Sequence, residues 1–221
     1  MRLIKLNFLL FILFFAVSCQ SKSNNKEVAV TGDSQPDLSQ YETAYFASGC
    51  FWCVEAVFES VKGVKEAVSG YSGGSEKYPT YKQVSYGKTS HAEAVKVYYN
   101  PNEVSFETLV KVFFGSHDPT TLNQQGPDKG TQYRSIAFYE TEEEKEIIES
   151  YIKKLQTDKV FKNPIVTEVV AFKKFWEAED YHQDYEKLHP DNSYVKNVSV
   201  PRLNKFKKQF PELLKEDTKL H

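Results

Sequence analysis

The sequence predicts an α+β domain, and three observations carry that expectation. Apolar residues alternate along the 221-residue chain between period-two runs and i, i+3, i+4, i+7 spacing. The first six segments so marked fall in the order strand, helix, strand, strand, helix, strand. Two long irregular stretches interrupt them, and loops of that length in a compact domain are commonly functional.

Residues 43–48, "TAYFAS", read as the first strand, ended by Gly49. Val54, Val57, Phe58 and Val61 then mark one apolar helix face, closed by Gly63. "VKEAVSGYS" (64–72) is the second strand, and "GGSEKYPTYKQVSYGKTSH" the first long loop. "HAEAVKVYYN" is the third strand, stopped by Pro101. Ser105 caps a second helix carrying Phe106, Leu109, Val110 and Phe113. "GSHDPTTLNQQGPDKGTQY" is the second loop, and "RSIAFYE" a fourth strand. Thr141 and Glu144 form a capping-box pattern before a helix with Ile147, Ile148, Tyr151, Ile152 and Leu155. "IVTEVVAF" makes a fifth strand, and the remainder is helical or irregular. The β-α-β-β-α-β order of the first six elements is that of a ferredoxin-like split unit with additional C-terminal elements.

The N-terminus reads as an export segment. Arg2 and Lys5 precede "FLLFILFFAV", about ten apolar residues where a bilayer span needs roughly twenty. "AVSC" resembles the lipobox of bacterial lipoproteins, with Ala16 in place of the leucine usual there. That resemblance implies a signal peptide over 1–18, lipidation at Cys19, and an exported protein lipid-anchored to a bacterial membrane. Residues 19–42 are polar and aperiodic, which is tether chemistry: too little apolar surface to offset the entropy of ordering. The folded domain is expected over 43–221. Net charge is −2 with no extended basic block, so nucleic-acid binding has no electrostatic footprint. A monomer is expected.

Two of the three cysteines, Cys50 and Cys53, sit three residues apart in "GCFWCVE". Cys50 falls at a strand-to-helix junction and Cys53 in the first helical turn, where unpaired N–H groups and the macrodipole favour a thiolate. Residues so spaced lie ~5–6 Å apart, within reach of a disulfide. Attack by one sulfur and capture by the other are both geometrically open. A structural disulfide is an alternative, although so short a loop constrains the unfolded chain little. Half a zinc site is another, but His91, His117, His182, His189 and His221 show no ligand spacing, and no metal or other cofactor is expected. A thioredoxin-like redox pair is the third.

"GCFWCVE" resembles the signature of A-type peptide methionine sulfoxide reductases. "GYSGG", "YPTYKQV", "HAEAV", "SHDPTT", "GTQYRS" and "AEDYHQDY" occur in that family's order, and the resemblance spans roughly residues 44 to 214. It implies Cys50 as nucleophile and Phe51 and Trp52 as the hydrophobic residues around the substrate methyl group. It implies Glu93 as proton donor to the sulfoxide oxygen, Tyr81 and Tyr133 as hydroxyls binding that oxygen, and Asp128 as an acidic support of the network. Many relatives recycle through C-terminal cysteines. Here Val195 stands where several have one, so the resolving role falls to Cys53, as in the subgroup with "GCFWC". The implied activity is reduction of methionine S-sulfoxide, free or in oxidised proteins, through a Cys50 sulfenic acid and a Cys50–Cys53 disulfide, with an external thioredoxin-like dithiol as electron donor. The chemistry is coherent: expelling a sulfoxide oxygen needs a proton, and desolvation can keep a carboxylic acid protonated near neutrality. A general thiol–disulfide oxidoreductase and a non-catalytic surface module with a structural disulfide are the competing readings.

Overall fold

Period-two burial sets the sheet. In the computed structural model, which describes residues 37–219, the strands and helices run β1 (Glu42–Ser48), α1 (Phe51–Glu59), β2 (Val64–Ser72), α2 (Tyr81–Ser85), β3 (Ala92–Tyr99), α3 (Phe106–Gly115), β4 (Gln124–Gln125), β5 (Asp128–Lys129), β6 (Ser135–Tyr139), α4 (Glu142–Thr157), β7 (Glu168–Ala171), β8 (Trp176–Glu177), α5 (Tyr185–Leu188) and α6 (Val200–Gln209). The expected signal segment, Cys19 and the tether as far as residue 36 lie outside the described residues, as does His221.

The main sheet has the order β7-β6-β1-β3-β2-β8. Its centre, β6-β1-β3-β2, is antiparallel throughout and is the ferredoxin-like arrangement expected from the element order. Beyond that centre, β7 adds parallel to β6 and β8 antiparallel to β2. One face is covered by helices: Phe46 of β1 stacks on Phe58 of α1 at 5.0 Å and on Phe113 of α3 at 5.1 Å between ring centroids. On the other face Tyr45, Ala92 and Ala94 pack with Phe172 and Phe175, which follow β7, and Tyr45 stacks on Phe172 at 3.7 Å. Fully burying one such side chain stabilises the fold by ~1.5–3 kcal/mol. The alternation along β3 therefore sends Ala92 and Ala94 to one face and Glu93, Val95 and Val97 to the helical face.

Local signals explain most boundaries. Ser105 accepts from the Thr108 N–H, as its capping role requires. Gly63 takes φ +84° beyond α1, a conformation that penalises a Cβ. Three expectations need correction. Thr141 caps α4, but the Glu144 carboxylate accepts from the Glu140 N–H rather than from Thr141, so the box closes one residue early. The fifth strand is shorter than 165–172, because only Glu168–Ala171 finds ladder partners on β6. The first long loop contains α2, closed by a full capping box between Thr80 and Gln83.

Candidate active site

Gly49 turns the chain from β1 into α1. Its φ of +95° suits glycine, and a Cβ there would come 2.7 Å from the Gln125 Cβ, in the second long loop. The turn leaves Cys50 as N-cap of α1 and Cys53 in the first turn, both buried (7% and 2% exposed) and both free thiols. Cys50 makes no side-chain capping bond. The Phe51 N–H, one of the donors left open at the helix start, is taken by Glu93 Oε2 at 3.0 Å.

Glu93 is 2% exposed and reaches the head of α1 from β3. Burial pushes its carboxyl up to about 8, opposed by the Phe51 N–H and assisted by the nearby Asp128 charge. It is therefore a carboxylic acid through most of the neutral range. Burial also pushes the Cys50 thiol well up, and the hydrogen bond it shares with Cys53 adds to the effect. That same hydrogen bond is the largest influence lowering Cys53 to about 7, helped by Arg202, Ser199 and Tyr194. The first negative charge of the pair thus rests on Cys53, with Cys50 donating to it. The helix terminus expected to ionise Cys50 is outweighed there by desolvation.

Aromatic rings build the wall beside Cys50. Phe51, 1% exposed, lies within 6.2 Å of the Trp52, Tyr71, Tyr81 and His182 ring centroids. Trp52 stacks on Tyr185 at 3.7 Å and donates through Nε1 to His182 Nδ1 at 3.2 Å. Tyr81 opens α2, where its N–H donates to Glu179 Oε1, while Tyr71 OH donates to Glu179 Oε2. Tyr133 sits in the 3₁₀ turn Thr131–Tyr133. Burial raises both the Tyr81 and Tyr133 phenols, and both lie near enough to Glu93 and Cys50 to feel either group when it ionises, so the two loops bring them to the same site. Asp128 accepts from Tyr194 OH, and Tyr194 OH in turn lies 4.0 Å from Cys53 Sγ.

All eight domain residues singled out from the sequence therefore converge, while Cys19 lies outside the described residues. Four others were missed. His182 locks Trp52; Glu179 holds α2 and Tyr71; Tyr194 joins Cys53 to Asp128; Arg202 bonds Ser48 and Ser116 beside the pair. His182 and Glu179 fall inside the "AEDYHQDY" motif and Tyr194 inside "NSYVKNV", but neither periodicity nor residue type marks them.

Comparison with known proteins gives one consistent result. Residues 42–214 match the family model described as peptide methionine sulfoxide reductase. A peptide methionine sulfoxide reductase of Rhodopirellula baltica is 48% identical over 174 residues, covering 79% of this chain and 90% of the relative. The reductase of Pasteurella multocida is also 48% identical, over 79% of this chain and 99% of its own. Among solved structures, Mxr1 of Saccharomyces cerevisiae in reduced form is 34% identical with a TM-score of 0.64, covering 72% of this chain and 91% of that one. Methionine sulfoxide reductase A of Corynebacterium diphtheriae has a TM-score of 0.62 at 34% identity, over 72% and 78% respectively.

Proposed function

The chain belongs to the peptide methionine sulfoxide reductase family, and on that premise we propose that it reduces methionine S-sulfoxide through Cys50, with Glu93 as the acid. The observation that carries this reading is the buried Glu93 carboxyl, neutral up to about 8 and fixed on the Phe51 N–H beside Cys50.

The sulfoxide methyl group rests against Phe51 and Trp52, and its oxygen faces Glu93, Tyr81 and Tyr133. As Cys50 passes its proton to the Cys53 thiolate, its sulfur attacks the sulfoxide sulfur. Glu93 protonates the oxygen: its carboxyl, held at about 8, is a far stronger acid than the Tyr81 and Tyr133 phenols, which burial pushes up and which therefore bind the oxygen without giving up their protons. The oxygen ends on Cys50 as a sulfenic acid, methionine leaves, and Glu93 remains as carboxylate. Cys53 then attacks the sulfenic sulfur, giving the Cys50–Cys53 disulfide and water. A thioredoxin-like dithiol reduces that disulfide. Substrates are free methionine sulfoxide or oxidised proteins, so the role is repair of oxidative damage.

The test is turnover with a thioredoxin-like donor on each methionine sulfoxide epimer separately. Turnover of the S epimer alone is expected; reduction of protein disulfides without any sulfoxide reduction would replace this reading by general thiol–disulfide exchange. Export and lipidation at Cys19 are proposed from the sequence of the first nineteen residues. Intact-mass measurement of the natively expressed protein decides this, with a lipidated chain beginning at Cys19 as the expected species.

A further inference from the structure

Closure of the disulfide needs Cys53 as a thiolate, yet the attack proposed above leaves it protonated. The structure supplies a partner for that proton. Cys53 Sγ lies 4.0 Å from the Tyr194 hydroxyl oxygen, and that hydroxyl donates to Asp128 Oδ2 at 2.5 Å. A phenol carries a single hydrogen. With Asp128 holding it once the attack has protonated Cys53, the S–H becomes the donor in the sulfur contact, and the three groups form a chain in one direction. Tyr194 is held at the start of a π-helical turn, Val195–Ser199, a geometry frequent at functional sites. Cys53, Tyr194 and Asp128 also line one cleft of about 580 Å³ together with Arg202 and His117.

We propose that Cys53, Tyr194 and Asp128 form a proton relay that activates the resolving thiol, with Tyr194 as a catalytic residue and Asp128 as the base acting through it. The inference rests on the reductase reading. The Cys53 proton passes to the Tyr194 oxygen as the Tyr194 proton passes to Asp128. The thiolate then forms the S–S bond with Cys50 while the S–O bond of the sulfenic acid breaks, and the departing hydroxide takes up the proton that Asp128 received, giving water and restoring the carboxylate. No oxidant or reductant enters this step, because the sulfenic acid is itself the oxidant of Cys53.

The assignment separates the two carboxyl groups by step. Glu93 serves the sulfoxide, and Asp128 serves the resolving sulfur. Burial raises Asp128 from its ordinary range, opposed by the Tyr194 hydrogen bond and by Arg202, and the Tyr194 hydroxyl aims at its Oδ2, the atom that takes the proton. The charged and titratable groups around the relay are Cys50, Glu93, Tyr133 and Arg202, with Asp118 and Lys205 lining the same cleft and His117 kept neutral by burial beside Arg202.

The test is a quenched single turnover of the full-length chain on methionine S-sulfoxide without donor. Methionine reports the first step, and intact mass separates the sulfenic species, one oxygen heavier, from the disulfide. In Tyr194→Phe and in Asp128→Asn, the ratio of the closure rate to the methionine-forming rate should fall at least ~10²-fold, the low end for lost general acid–base catalysis. In a Cys50→Ser background, Tyr194→Phe should also raise the pH midpoint of Cys53 thiolate absorbance. A merely structural tyrosine would not produce that shift, since phenylalanine keeps the ring at its edge-on contact with Trp52. A wild-type ratio in both variants would overturn the relay alone. No methionine from the parent enzyme would overturn the reductase reading and the relay with it.

Discussion

Glu93→Gln separates the acid from its shape. Glutamine keeps the length of the side chain and an oxygen for the Phe51 N–H, but it cannot titrate. Burial holds the wild-type carboxyl at about 8, against 4.5 ordinarily. Between those values the folded protein keeps a proton that the unfolded chain has lost, so folding stability falls as pH rises through the interval. The slope is ~1.4 kcal/mol per pH unit and the total about 5 kcal/mol, fully present above the upper value and absent below the lower one. Glu55, also pushed to about 8, adds a similar slope to both proteins and cancels in the difference. Urea unfolding of both proteins at steps between about pH 5 and pH 8 should show the wild type losing stability relative to the variant with each step. The same substitution should lower the single-turnover rate by ~10²–10⁴ near neutrality. In the wild type that rate should decline above about 8, where the acid is lost, whereas the variant should be level there. Parallel stability curves would refute the reasoning, because they would mean that the carboxyl ionises equally well in both states.

Cys53→Ser should release about one methionine per enzyme and then stall with Cys50 as sulfenic acid, detected by trapping that species before any second turnover. Trp52→Ala removes the ring that stacks on Tyr185; KM should rise ~10-fold or more with the sulfenic step otherwise intact, and an unchanged KM would exclude Trp52 from the methyl wall. Gly49→Ala places a Cβ 2.7 Å from the Gln125 Cβ at φ +95°. It should destabilise the fold by ~1–3 kcal/mol, measured by thermal unfolding.

Long segments with one dominant period were legible from the sequence. β2 covers Val64–Ser72 as read, and the Val54, Val57 and Phe58 spacing marks α1 because those positions are buried in the core, whereas Val61 lies past the end of the helix and bridges Leu214. Short elements were not legible. The two-residue strands β4, β5 and β8 carry no period at all, and β8 exists because Gly70 and Tyr71 of β2 offer it ladder partners. The site divides in the same way. Cys50, Phe51, Trp52 and Glu93 lie in or beside regular elements within quotable motifs. His182 reaches Trp52, Tyr194 reaches Cys53 and Arg202 reaches Ser48 across 130, 141 and 154 residues of chain, pairings that only the fold reveals.

Those separations bear on how the molecule comes into being. Both cysteines sit at the head of the first helix, but Tyr194 follows Cys53 by 141 residues and Arg202 follows Ser48 by 154. Closing loops of such length carries a large entropic penalty and tends to come late in folding. A nascent chain therefore carries two bare thiols through an interval in which Tyr194 and Arg202 do not yet exist. During that interval Cys50 and Cys53 behave as ordinary exposed cysteines, open to premature oxidation or to mixed disulfides with other chains. Docking of residues 194–202 against the head of the first helix then adds the Tyr194, Ser199 and Arg202 contacts that help set Cys53 below Cys50.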